Sequence, residues 1–233
     1  MDKRDYHKIR ETRKIGLQTF FINLQNNNYD TTTNNLITQL KAQLSDLNQK
    51  KSNLINQELS NCAMDIYFLE RELLAISEMK IIYAFKNFET HLIWLLKASY
   101  NSEVPKRIFK WETIKDFLLS KKIRLSAIHG YEEINQLRLL NNSIKHSLKA
   151  KPSDLGDIRE FQGKEDVQFQ DLLDFYNRVE GQIIIFISSL SDEIENDLYQ
   201  FDEERLEALS KSFKERMDNA TLEKFILKLN NAK

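Results

Sequence analysis

Five glycines and two prolines are all that punctuate 233 residues. An all-β domain needs a turn every few residues, and those turns draw heavily on both residue types. A chain this poor in them folds into long helices with few connections. The fold class read from sequence is therefore all-α. With 41% hydrophobic residues, the chain can bury a core without a disulfide or metal staple.

Charge and cysteine content narrow the setting. The net charge of -1 gives no global field toward nucleic acid or anionic lipid, so any such binding comes from a local patch. The single cysteine, Cys62, cannot pair within the chain, and no Cys/His spacing suits zinc. The N-terminus mixes acids and bases and lacks a signal-peptide core. The longest uncharged apolar run, residues 181–191, is well short of the roughly 20 residues that span a bilayer. A cytoplasmic protein with no membrane partner is expected.

Hydrophobic spacing divides the chain into three parts. Residues 1–30 read as a basic helical segment, with Lys8, Arg10 and Arg13 ahead of Leu17. Residues 26–33, rich in Asn and Thr, read as a loop capping the next helix. Residues 31–200 form a bundle that begins with a long arm over about 34–60, where Leu36, Leu40, Leu44, Leu47 and Leu54 make a narrow coiled-coil-like stripe. A wider stripe over 64–100 includes Met64, Tyr83, Leu92 and Trp94. Pro105 suits the first turn of a short helix carrying Phe109, Trp111 and Phe117, and His129-Gly130 reads as a break or tight approach. A helix from about residue 171 toward 198 has a central isoleucine run. Residues 201–233 form an amphipathic C-terminal helix or docking element.

Phosphate-loop, nucleophile-elbow and paired-histidine metal motifs are missing from the sequence. Adjacent acids such as Glu132-Glu133 diverge around a helix and do not form an acid/base pair. His7 reads as exposed, His91 as a core or boundary residue and His129 as part of a turn. His146 stands apart because of its company. In residues 134–148, Ile134, Leu137, Leu140, Ile144 and Leu148 define a buried face, and Arg138, Asn142 and His146 follow one another at four-residue intervals. An imidazole can take a proton from a ribose hydroxyl near neutral pH, and a guanidinium can stabilise charge on phosphorus, with no cofactor required. A polar face that pairs with neighbouring acids accounts equally for the spacing.

The run Asn141-Asn142-Ser143-Ile144-Lys145-His146 resembles the signature of the HEPN superfamily, in which an Arg, commonly followed by Asn, precedes a His near a helix end. The resemblance covers roughly residues 64–198 and implies a HEPN-like helical bundle. Active members are metal-independent ribonucleases, often toxins or antiviral effectors, whose dimers join two motifs in one cleft. It implies His146, Arg138 and Asn142 as catalytic residues, and Lys145 and Asn141 as phosphate contacts. It also implies RNA, a second copy of the chain and an antitoxin or defence-system protein as partners. Where the family arginine would precede Asn142, this chain has Asn141; Arg138, one turn upstream, and Lys145, about 100° around the helix, are the two candidate replacement cations, and a chain with neither in that role is the third alternative. A non-catalytic module binding RNA, nucleotide or protein through the same stripe is the competing expectation, and an unrelated helical scaffold is the third.

Overall fold

The computed structural model describes residues 6–19, 28–146 and 155–231, which form eight α-helices and no strand. They are α1 (Tyr6–Thr19), α2 (Asn28–Lys51), α3 (Asn56–Tyr100), α4 (Trp111–Ser120), α5 (Tyr131–His146), α6 (Phe169–Tyr199), α7 (Glu203–Arg216) and α8 (Asn219–Asn230). Among the described residues no helix is long and apolar enough to cross a membrane. The chain divides into two compact units, residues 21–190 and a smaller one made of 1–20 with 191–233.

In the larger unit α2 and α3 form an antiparallel hairpin. The four-residue turn between them ends at Asn56, whose φ of 52° an asparagine tolerates better than most residues. Leu47 near the end of α2 accepts the thiol of Cys62 early in α3, while Asp30 and Asn34 at the start of α2 meet Lys80 farther along α3. The Lys80 ammonium is buried. It donates to both side chains at 2.8 Å and lies 4.0 Å from the Tyr176 ring centroid, tying α2, α3 and α6 together.

This anchor corrects the expected loop over 26–33. From Asn28 onward the segment is helical, with Asp30 favourable to the helix dipole in the first turn and Thr33 buried. Residues 26 and 27 lie outside the described ones. The register of the arm also differs from its leucine count. Ile37 and Leu40 pack with Leu73 and Leu173, whereas Leu36 is exposed and Leu54 falls in the turn.

α3 runs for 45 residues, about 67 Å. Its second half carries the deeper core, with Ile81, Leu92, Leu95 and Leu96 fully buried, while Met64, Tyr83 and Trp94 of the expected wide stripe face outward. Phe88 meets Phe186 of α6 edge-on at 5.7 Å between ring centroids. Pro105 lies in the turns before α4 rather than in its first turn, and its carbonyl accepts the Ile108 amide.

α5 enters through Gly130. Its φ is +81°, and a Cβ there would stand 3.0 Å from the Gln182 carbonyl oxygen and 3.3 Å from the Phe186 Cβ, so the expected tight approach is onto α6. Arg178 of α6 grips Glu160 with two bonds of 2.8 and 2.9 Å and donates to Gln136 of α5 at 2.9 Å. Burial pushes the Glu160 carboxyl up, but the hydrogen bonds from Arg178 and Arg159 outweigh it and hold the group at about 2.

In the smaller unit Lys14 pairs with Glu195 at 3.2 Å, and the Ser191 hydroxyl donates to the Leu17 carbonyl at 2.9 Å. The expected single C-terminal helix is two. Asp202 caps α7 and Asp218 caps α8 by accepting backbone amides three residues on, and Phe213 packs on Phe225 at 4.9 Å.

Candidate functional site

α5 presents its polar stripe beside α4 because its opposite face is committed to the core. Ile134, Leu137 and Leu140 are buried, and Ile144 is half-buried. Leu148 and most of the expected helix stop at 149–156 lie outside the described residues. Asn141 is also in the core, at 1% exposure. It follows Leu137 by four residues and Ile134 by seven, so it occupies the middle of the apolar face.

Arg138 and Asn142 line one cleft of about 160 Å³. Its floor is Phe85, Phe88, Leu92 and Ile114. Its rim adds Glu89 from α3, Phe109 from the turn before α4, and Trp111 at the start of α4. The guanidinium of Arg138 lies 5.5 Å from the Trp111 ring centroid. Its Nε and Nη2 donate to Asn135 Oδ1 at 3.2 and 2.9 Å, which holds the group in place over the ring. Trp111 stacks in turn near Tyr131, with the planes inclined by 24°.

Asn141 cannot reach a phosphate in solvent from its core position. Its Nδ2 donates to Asn142 Oδ1 at 3.3 Å, so it acts on the cleft by turning the Asn142 amide nitrogen away from itself. Asn141 Oδ1 and Ser143 Oγ are buried with no hydrogen-bond partner among the described residues. Lys145 and His146 stand exposed in the last turn of α5, outside the group that lines the cleft. A lysine at a helix C-terminus also complements the helix dipole, which accounts for Lys145 without a ligand.

Comparison with protein-family models, curated proteins and solved structures finds no match to this chain.

Two contributors escape sequence spacing. Glu89 and Trp111 reach the cleft from other helices, which no periodicity along α5 reveals. Asn135 is not singled out in the sequence either, although the three-residue spacing to Arg138, which puts both on one helix face, is the signal that finds it. Among the described residues no group of three or more His, Cys, Asp or Glu side chains could hold a metal ion. The other histidines have local roles. His91 Nδ1 lies 2.8 Å from the Asn87 carbonyl, and its ring packs edge-on against Trp94. His129 is exposed in the turn before α5.

Proposed function

We propose that this chain is a HEPN-like endoribonuclease that works without a metal ion, acting in the cytoplasm within a bacterial defence or toxin system. The observation that carries the reading is the convergence of Arg138 and Asn142 on one aromatic-floored cleft, one turn before an exposed Lys145 and His146. His146 takes the proton of a ribose 2′-hydroxyl, and the freed oxygen attacks the adjacent phosphorus. Arg138 holds the phosphate and stabilises its growing charge, Asn142 positions the substrate, and Lys145 is a secondary phosphate contact. The 5′-oxygen leaves with the proton that His146 took up, returned through water, and the upstream fragment ends in a cyclic phosphate.

A homodimer accompanies this function, since two facing stripes double the groups available in one cleft. Met64, Phe68, Met79 and Trp94, all more than half exposed along α3, supply apolar surface for such contact. An antitoxin-like or other defence-system protein would be the further partner.

One observation favours a second reading, a non-catalytic RNA-binding module. At the position where the resemblance calls for arginine, this chain buries an asparagine. Labelled single-stranded RNA and matched DNA, incubated with the purified protein in EDTA, separate the two. The ribonuclease leaves RNA ends carrying cyclic or 3′-phosphate and spares DNA. Loss of cleavage on chelation, or equal digestion of DNA, counts against it. Retention of uncut RNA that weakens with Arg138→Ala supports the binding module instead.

A further inference from the structure

We propose, resting on the RNA-acting function above, that the cleft beneath Arg138 and Asn142 is a guanine-selective nucleobase subsite. Its size is the first argument. Sites for drug-sized ligands run to roughly 300–1,000 Å³, whereas a cavity of about 150 Å³ takes a single aromatic ring. At about 160 Å³, with the exposed Phe109 in its lining, this cleft admits the six-membered ring of one base and leaves the imidazole ring, sugar and phosphate at its open side.

The walls suit a flat heterocycle. Phe88, Leu92 and Ile114 at the floor are almost wholly buried, so they offer the base a dry, rigid surface. Phe109 and the Arg138 guanidinium over Trp111 offer planar faces at the rim, the kind of platform on which unpaired RNA bases stack.

The polar groups decide which base. Asn142 Oδ1 accepts from Asn141, so Asn142 Nδ2 is the end turned toward a ligand acceptor. Arg138 commits Nε and Nη2 to Asn135, leaving Nη1 for the phosphate that stays outside the cleft. Glu89 is the acceptor of the set. It holds Lys86 Nζ at 3.1 Å through Oε2, and its carboxylate is partly exposed at the cleft. Guanine alone among the RNA bases presents two adjacent donors, N1–H and N2–H, that a carboxylate can accept together, with its O6 acceptor beside them for Asn142. Adenine and cytosine each offer one amine beside a ring acceptor, and uracil offers a single N–H.

Calorimetric titration of the full chain with 5′-GMP, 5′-AMP, 5′-CMP and 5′-UMP in turn tests the assignment. GMP should bind at least about tenfold more tightly than the other three. Glu89→Gln, which replaces one acceptor oxygen by a donor, should bring GMP within about threefold of AMP while leaving AMP affinity unchanged. Phe109→Ala should weaken all four nucleotides together, and circular dichroism checks that both variants are folded. Equal affinities, no binding of any nucleotide, or a GMP preference that survives Glu89→Gln overturns the proposal. The readout contains no cleavage step, so failure here is distinct from failure of the ribonuclease. Guanine preference without RNA cutting removes the enzyme and keeps the subsite. RNA cutting without base preference does the reverse.

Discussion

The Arg138 guanidinium lies 5.5 Å from the centre of the Trp111 ring, clamped there by two bonds to Asn135. One interaction thus holds the best-placed cation of the cleft and joins α5 to the start of α4. Trp111→Ala should cost about 2 kcal/mol by urea denaturation, below the range for a fully buried Trp because this one is half-buried. It should also weaken RNA binding. Trp111→Phe keeps a ring under the guanidinium and should restore most of both. Unchanged RNA affinity in Trp111→Ala would disconnect the stacked pair from the site.

Gly130 sets how closely α5 approaches α6. Gly130→Ala should destabilise the protein by about 3 kcal/mol, combining a positive φ with a Cβ only 3.0 Å from a backbone oxygen. Gly163 has a φ of +70° but open space around its Cβ position, so Gly163→Ala should cost only about 1 kcal/mol. Parallel thermal melts compare the two. Equal losses would mean that the contact with Gln182 contributes nothing.

The Glu160 carboxyl is held at about 2, below its ordinary 4.5. Its contribution to stability is therefore complete above the ordinary value and is lost as pH falls through the range down to about 2. Arg178→Met should lower stability at pH 7 by about 2 kcal/mol, with the gap from wild type shrinking by more than half at pH 3. Denaturant titrations at the two pH values provide the check, and a gap that stays constant would contradict the assigned role.

Much of the all-α architecture was legible because apolar residues at helical spacing and a scarcity of Gly and Pro leave few alternatives. Gly130 was legible as well, since a glycine just before a periodic helix signals close approach or a turn. Less legible was whatever depends on partners distant in sequence. Nothing near Lys80 announces that it is buried against Asp30 and Asn34, 50 and 46 residues away. The start of α2 was misplaced for that reason, because local Thr and Asn preferences yield to a long-range anchor. Asn141 is a different case. Its spacing from Ile134 and Leu137 already placed it in the core, and its polarity obscured that.

The proposed homodimer draws on the apolar side chains standing out along α3 and is tested by its dependence on concentration. Light scattering across a dilution series should report a dimer, and charged replacement of two of them, Phe68→Glu with Met79→Glu, should shift it to monomer without loss of helicity. A wild-type monomer at high concentration would remove the two-stripe cleft from the account.

Joint action of Arg138 and His146 on RNA, as proposed, is tested by single-turnover cleavage of labelled RNA in EDTA by wild type, Arg138→Ala, His146→Ala and Lys145→Ala, each checked for fold by circular dichroism. Arg138→Ala should abolish cleavage nearly as completely as His146→Ala, with a measurable remainder in Lys145→Ala. Cleavage by folded Arg138→Ala and His146→Ala at the wild-type rate would exclude both residues from the reaction and leave the stripe a structural face of α5.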